Sequence, residues 1–151
     1  MEPNKTIDTL LQLKDAGLVA ADAAATVGGS AKVLDLGAGH YRGDVQIDVS
    51  AIEIASGDEH YEIVAQGSSS PTFASAVVCL SSLRIGDGST IATELGTGGG
   101  VDVDDVVGRY YLPFRNEKAG TVYRYLRLYT RVTGTVATGI NYVAYVTKPA
   151  A

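Results

Sequence analysis

Strict alternation in the C-terminal third limits the possible fold more than any other feature of the sequence. Residues 121–132 (TVYRYLRLYTRV) alternate between a largely aliphatic set and an aromatic and basic set. Because successive side chains of a β-strand point to opposite sides of the sheet, this period of two predicts a strand with two chemically different faces. Residues 134–139 (GTVATG) are typical of a turn, and residues 140–146 (INYVAYV) are predicted to return as the second arm of a hairpin.

The chain beyond residue 17 consists of extended segments separated by Gly, Asp, Ser and Asn, which is typical of a strand-rich fold. The predicted strands lie near residues 18–27, 32–36, 45–55, 60–66, 73–84, 90–95, 101–112, 121–133 and 139–147. The alternation of Val45, Ile47 and Val49 resumes out of phase at Ile52, which predicts a bulge near residues 50–51. Without βαβ alternation, these strands predict an all-β jelly roll or β-sandwich of antiparallel strands.

The N-terminal segment differs in character from the rest. Ile7, Leu10, Leu11 and Leu18 recur near helical spacing, which predicts a short helix over residues 4–17. So short a helix is marginal alone and must pack against the domain or a partner. We therefore expect a helix or arm over residues 1–17 and a single jelly-roll β-domain over residues 18–151.

Composition limits the classes of partner. Seventeen acidic against twelve basic residues give a net charge of −5, so no basic surface is expected for nucleic acid or for an anionic membrane. Cys79 lies inside the apolar run of residues 73–80 (FASAVVCL), where a free thiol is expected to be buried. No window of about 20 apolar residues and no secretory leader is recognisable, which predicts a soluble protein synthesised in a cytoplasm.

A glycine-rich motif suggests one enzymatic alternative. Residues 33–39 (VLDLGAG) and 45–50 (VQIDVS) are similar to the nucleotide-contacting motifs of S-adenosylmethionine-dependent methyltransferases. In such folds a crossover helix separates the two motifs, whereas here only residues 40–44 (HYRGD) do so. A parallel connection needs about a dozen residues or more, so a strand ending in a Gly-rich turn is the simpler interpretation.

The remaining reactive residue types lack the spacing of a known site. Asp102, Asp104 and Asp105 do not have EF-hand spacing, and a solvated edge or a charged interface patch accounts for them better than calcium. His40 and His60 have no Cys or carboxylate at zinc-ligand spacing. Neither glycine-rich stretch, residues 86–89 or 96–100, has a phosphate-loop ending, and the serines of residues 81–82 lack a nucleophile-elbow context. We expect a protein that is not an enzyme, with no catalytic residue, cofactor or metal.

Tyrosine is used unevenly along the chain. Seven of the nine tyrosines fall in the last third, and the chain has two Phe and no Trp. Tyr123, Tyr125 and Tyr129 share one face of the predicted strand with Arg127 and Arg131. Tyrosine and arginine are enriched in protein–protein contacts, although tyrosine also suits any half-buried strand. A contact surface and an ordinary strand face both remain open interpretations.

Several segments together resemble a known family. They are residues 20–27 (AADAAATV), 33–38 (VLDLGA), 43–49 (GDVQIDV) and 123–129 (YRYLRLY), the last running into residues 132–139 (VTGTVATG). In this order they resemble the jelly-roll capsid cement proteins, or head decoration proteins, of tailed bacteriophages. The resemblance spans about residues 18–148, and residues 1–16 are an extension beyond the usual start of the family.

The resemblance implies a homodimer or homotrimer on the outer surface of the virion capsid, bridging neighbouring subunits of the major capsid protein. Candidate interface residues come from the predicted helix and from one face of the predicted strand. They are Ile7, Leu10, Leu11, Tyr123, Tyr125, Arg127 and Tyr129. The alternatives are another β-rich virion component, such as a tail or fibre module or a carbohydrate-binding jelly roll, and, more remotely, the methyltransferase.

Overall fold

A computed structural model describes residues 8–87 and 107–147, and almost all of the regular structure in these ranges is β-strand. The short strands in the first part of the chain are β1 (Gln12–Lys14), β2 (Leu18–Val19), β3 (Ala23–Ala24), β4 (Thr26–Val27), β5 (Ser30–Ala31) and β6 (Leu34–Asp35). The later strands are β7 (Arg42–Ile52), β8 (His60–Ser68), β9 (Val78–Gly86), β10 (Gly108–Arg115), β11 (Glu117–Lys118), β12 (Thr121–Val122), β13 (Tyr125–Thr133) and β14 (Ile140–Thr147).

Within the described ranges, the strands form two antiparallel sheets and two small ribbons. Sheet A has the order β1-β14-β7-β10, with β2 also paired to β14, and sheet B has the order β3-β13-β8-β9, with β6 also paired to β13. The ribbons are β4–β5 and β11–β12. The expected all-β fold of antiparallel strands is confirmed.

The pairings are nested around the β8–β9 hairpin. Strand β7 pairs with β10, the short strands β3 and β6 pair with β13, and β1 pairs with β14. The chain therefore behaves as one long ribbon folded in half between β8 and β9. This nesting places consecutive long strands alternately in sheet A and sheet B, except across the hairpin itself.

Side chains from the inner faces of both sheets form one apolar core. In β7 the alternating residues Val45, Ile47 and Val49 are buried, as the sequence predicts. The two sheets also meet through a polar contact, since Thr130 and Tyr142 share a hydrogen bond of 2.6 Å between their buried hydroxyls. Burial raises the pKa of Tyr142 to about 12, so its hydroxyl remains neutral inside the core.

The predicted bulge in β7 is confirmed. Asn141 pairs with Ala51 and Tyr142 pairs with Val49, which leaves Ser50 as the additional residue. One extra residue reverses the alternation of a pleated strand, so the side chains of β7 change face after Ser50. The residues on both sides of the bulge remain paired with β14.

The hairpin predicted between β13 and β14 is wrong. Strand β13 belongs to sheet B and β14 to sheet A, so residues 134–139 cross from one sheet to the other. Gly134 and Gly139 have φ values of 95° and 88°, and a side chain at either would collide with a carbonyl group, that of Asp58 or that of Val19. The aliphatic faces of the two strands meet across the core instead of lying side by side.

Acidic side chains of the β7–β8 loop hold this crossing in place. The Glu53 carboxylate accepts hydrogen bonds from the backbone N–H groups of Ala137, Thr138 and Gly139 at 3.0, 2.6 and 2.7 Å. Asp58 accepts a further bond from the backbone N–H of Thr135 at 2.9 Å. The bonds from Gly139 and Thr138 lower the pKa of Glu53, so the carboxylate stays charged and bound to the turn.

The helix predicted for residues 4–17 is wrong over residues 8–17, and residues 4–7 lie outside the described ranges. Asp8 caps a single 3₁₀ turn, Thr9–Leu11, by accepting a hydrogen bond from the N–H of Leu10 at 2.9 Å. The chain then enters β1, where Leu13 is completely buried. Pairing with β14 provides more burial than an isolated amphipathic turn could.

Candidate functional site

The outward side of β13 carries a row of large side chains with a polar end. Leu126, Leu128 and Thr130 point into the core and are buried, so the alternate residues Tyr125, Arg127 and Tyr129 point outwards. These three are half-buried. We call them the Tyr–Arg row. The alternation that predicts this face from sequence is confirmed for these three residues.

Arg127 is held in a fixed position at the centre of the Tyr–Arg row. Its guanidinium carbon lies 4.4 Å from the centroid of the Phe73 ring and 5.6 Å from that of Tyr129. Its Nε donates a hydrogen bond of 2.8 Å to the side-chain carbonyl of Gln66. Burial lowers the pKa of Arg127, although an arginine remains charged at any physiological pH. The side chain therefore presents a planar cation that is restrained by one hydrogen bond and two aromatic rings.

Phe73 reaches this face from the loop between β8 and β9. It is buried, and together with Val64 it lies outside the central core, so sheet B has a small second apolar layer on its outer side. The loop is closed by hydrogen bonds from Ser68 Oγ to the carbonyl of Ser75 at 2.9 Å and from the N–H of Phe73 to the carbonyl of Ser70 at 3.1 Å. Sequence reasoning places Phe73 at the start of a strand and misses this role.

The backbone of the loop is strained. Phe73 and Ala76 have φ values of 54° and 53°, a region that side-chain-bearing residues rarely occupy. Such strain costs of the order of 1–3 kcal/mol per residue and persists only where the surroundings impose it. At Phe73 the burial of the ring against Arg127 is a contact that can offset this strain.

An ion pair lies beside Tyr125, at one end of the Tyr–Arg row. Arg124 donates two hydrogen bonds to Asp35 on the neighbouring strand β6, at 2.7 and 2.8 Å, and its guanidinium carbon lies 5.5 Å from the Tyr125 ring centroid. The bonds from Arg124 and from the N–H of Gly37 lower the pKa of Asp35 to about 2. The same ion pair raises the pKa of Arg124.

Of the other predicted interface residues, Tyr123, Leu10 and Leu11 do not join this face. Tyr123 precedes β13, and its Cβ lies beside Gly67. Gly67 pairs with Leu126, which faces the core, so Tyr123 lies towards the core side of sheet B and not on its outer face. The side chain of Leu10 is 75% exposed, whereas Leu11 packs against the core, so the two leucines do not form one apolar surface. Both lie at the edge of sheet A, and Ile7 is outside the described ranges.

The outer face of sheet A carries a second tyrosine row that the sequence reasoning does not select. Gln12, Tyr145, Gln46 and Tyr111 lie opposite one another across β1, β14, β7 and β10. Gln46 is only 2% exposed although it points away from the core. The alternation of residues 140–146 is the signal that identifies Tyr145 as an outward residue.

The cysteine prediction is wrong. Cys79 is exposed, because it lies opposite Gln66 on the outward side of β9 and only part of the apolar run around it belongs to a strand. Residues 69–77 form the loop that contains Phe73. A run of apolar letters therefore does not indicate one buried strand here.

Reactive groups in the described ranges do not converge on one point. His40 is exposed and its Nδ1 lies 3.2 Å from a carboxylate oxygen of Glu117, whereas His60 is buried at the start of β8. Among residues 8–87 and 107–147 no group of three His, Cys, Asp or Glu side chains is placed to hold a metal ion. Asp102, Asp104 and Asp105 lie outside these ranges.

The methyltransferase motif does not occupy a methyltransferase context. Strand β6 belongs to sheet B and β7 to sheet A, and the described residues 36–41 between them contain no helix.

In the described part of the chain, no helix is long and apolar enough to cross a membrane. No protein-family model matches the chain, and no curated protein matches it in sequence. The molecule is thus defined by its geometry, an antiparallel β-sandwich with an ordered Tyr–Arg row on one outer face.

Proposed function

We propose that this chain is a structural virion protein that binds the outside of an assembled phage capsid and cements neighbouring major capsid protein subunits. The observation that carries the proposal is the Tyr–Arg row, a set of large side chains with polar ends held in fixed positions on an outer face. Tyrosine and arginine supply much of the energy of protein–protein contacts, and side chains that are already ordered lose less entropy on binding.

The topology supports a jelly roll, the fold of the cement family that the sequence resembles. A jelly roll is a long antiparallel ribbon wrapped into two facing sheets. The nested pairings of β1 with β14, β7 with β10 and β8 with β9 follow this scheme. Jelly rolls are frequent in viral capsid and lectin domains, so the topology favours a binding or structural role without selecting the partner.

The physics of a cement protein agrees with the charge of this chain. A ligand that binds only the assembled lattice stabilises it by mass action, and a dimer or trimer multiplies modest contacts through avidity. The net charge of −5 keeps the free protein dispersed. The central contact would be made by Arg127 and Tyr129, which already contact each other in the free protein.

Binding to purified heads tests the proposal. The wild-type protein is expected to cosediment with expanded heads and not with unassembled major capsid protein. Tyr129→Ala should weaken binding at least tenfold, which corresponds to about 1.4 kcal/mol per site. Tyr145→Ala, a half-buried outward tyrosine on sheet A, is the matched control and should change the affinity less than twofold. Equal losses in both variants would contradict the assignment of the interface to sheet B.

A carbohydrate-binding jelly roll is the second candidate, because the exposed parts of Tyr125 and Tyr129 offer flat aromatic surfaces on which sugar rings could stack. A glycan array distinguishes the two candidates. Binding to a defined glycan that is lost in Tyr129→Ala, together with no binding to heads, would replace the cement assignment by this one.

A further inference from the structure

Most arginines of the described ranges have a partner. The partnered residues are Arg84 with Glu62, Arg109 with Asp48, Arg124 with Asp35, and Arg127 with Gln66 and two aromatic rings. Within residues 8–87 and 107–147, Arg42, Arg115 and Arg131 have neither a hydrogen bond nor an ion pair through their side chains. Two of these three are neighbours.

Arg42 and Arg115 lie directly opposite one another on β7 and β10, at the end of the ladder and on the outward side of sheet A. Both are exposed. Side chains in such positions have Cβ atoms about 4.5–5.5 Å apart, and like charges placed there repel each other. Two unpaired guanidinium groups are thus held together on a chain whose net charge is −5.

The surroundings combine this charge with apolar walls. The arginines line a groove of about 670 Å³, together with Leu80, Pro113 and Phe114 and one carboxylate, Asp44. They also line an adjoining cavity of about 210 Å³. The carboxylate of that cavity, Glu117, lies 3.2 Å from His40. Neither carboxylate forms an ion pair with Arg42 or Arg115 in the part of the chain that the structure describes.

We propose that Arg42 and Arg115 form a binding site for a carboxylate on an acidic side chain of a partner protein. The planar guanidinium group donates two parallel hydrogen bonds to a carboxylate, and two such groups side by side offset their mutual repulsion when an anion lies between them. The groove walls formed by Leu80, Pro113 and Phe114 would cover apolar atoms next to the acid, which a free inorganic anion does not possess. This site is separate from the Tyr–Arg row and does not depend on the function proposed above.

Nuclear magnetic resonance of the intact, ¹⁵N-labelled protein tests the site. The probes are a blocked leucine–glutamate dipeptide, the matching leucine–glutamine dipeptide and inorganic phosphate. The Nε–H signals of Arg42 and Arg115 should shift with the glutamate peptide and saturate at millimolar concentration. They should shift at least fivefold less at equal concentration with the glutamine peptide or with phosphate.

Variants separate the site from general charge effects. Arg42→Gln should weaken binding of the glutamate peptide at least fivefold, and Arg42→Lys, which keeps the charge but loses the planar donor pair, at least threefold. Arg131→Gln is the matched control, an exposed arginine without a partner on the outward side of sheet B, and should bind as the wild type does. An equal effect of Arg131→Gln would overturn the proposal.

A stability measurement keeps the proposal falsifiable without any ligand. Relief of the repulsion should raise the melting temperature of Arg42→Gln at low salt by about 1–3 °C, and the gain should vanish at high salt. Phosphate binding as strong as that of the glutamate peptide would overturn the partner-protein assignment. So would shifts of the two Nε–H signals on dilution of the protein alone, because these would assign the site to a second copy of the chain.

Discussion

The outer faces of the two sheets carry similar residues in different arrangements. On sheet A, polar groups bind each other: Gln46 donates to Asp48 at 3.3 Å, and Arg109 forms two bonds with the same carboxylate at 2.7 and 3.2 Å. On sheet B, Arg127 donates one bond to Gln66 and is otherwise placed between aromatic rings. An arginine has five N–H donors, so Arg127 keeps donors available, whereas Arg109 already uses two of its donors on Asp48.

This difference indicates how the Tyr–Arg row can be suited to binding while the paired groups Gln46, Asp48 and Arg109 on sheet A serve stability. A cation supported by rings is fixed in place without having its charge neutralised by a carboxylate. It is available to an incoming acceptor at little entropic cost. A cation already paired with a carboxylate must lose one partner to gain another. We therefore expect substitutions to affect the two faces differently.

The largest expected effect is a loss of stability when Phe73, which packs against the outer face of sheet B, is truncated. Phe73→Ala should lower the free energy of unfolding by about 3 kcal/mol, because a buried ring is removed and the strained backbone remains. Changing the half-exposed Tyr145 on sheet A to alanine should lower the free energy of unfolding by only about 1 kcal/mol. Urea denaturation followed by circular dichroism measures both.

The strain in the loop gives an internal control for this prediction. Phe73→Gly should destabilise the protein less than Phe73→Ala, since glycine accepts a φ of 54° without penalty. If alanine were the milder substitution, or if both variants changed stability by less than about 0.5 kcal/mol, the loop would not support the Tyr–Arg row as described.

A smaller effect is expected from exchanging the cations. Arg127→Lys should cost about 1 kcal/mol, because lysine cannot stack as a plane between Phe73 and Tyr129 while donating to Gln66. Arg109→Lys on sheet A should cost less than about 0.5 kcal/mol, as is usual for an exposed ion pair. Thermal unfolding at matched salt compares them, and the reverse order would contradict the distinction between the faces.

The smallest effect concerns pH. The folded-state pKa of Asp35 is about 2, below its ordinary value of 3.8, so its ion pair with Arg124 contributes stability above pH 4 and loses it as the pH falls towards 2. Asp35→Asn should therefore be slightly less stable than the wild type at pH 6, and the difference should disappear near pH 2. A carboxyl titration by ¹³C resonance would contradict this if Asp35 titrated near pH 4.

Local pattern was sufficient to predict some of these features from the sequence. The alternation in β13 identifies Tyr125, Arg127 and Tyr129 as residues of one face, and the phase change after Val49 identifies the bulge in β7. Both depend on the period of two of a pleated strand, which each strand carries in its own residues. The all-β class follows from the same signal repeated along the chain.

Features that depend on distant contacts were not predictable in this way. The turn between β13 and β14 resembles a hairpin in sequence, but Glu53, more than 80 residues earlier, binds its backbone and directs it across the sandwich. Phe73 and Cys79 lie in one apolar run, yet Phe73 is a buried residue of the β8–β9 loop and Cys79 is exposed on a strand. The path of the turn depends on a partner that is remote in sequence. The different burial of Phe73 and Cys79 depends on a bend in the backbone.

Hydroxyl-radical footprinting of the protein on expanded phage heads, read by mass spectrometry, tests the central claim most directly. Tyr125 and Tyr129 on sheet B, and Tyr111 and Tyr145 on sheet A, are all half-exposed in the free protein and report on the two faces within one molecule. We predict that binding protects Tyr125 and Tyr129 from oxidation and leaves Tyr111 and Tyr145 unchanged. Protection of the sheet A pair alone, or of neither pair on heads that carry the protein, would contradict the account.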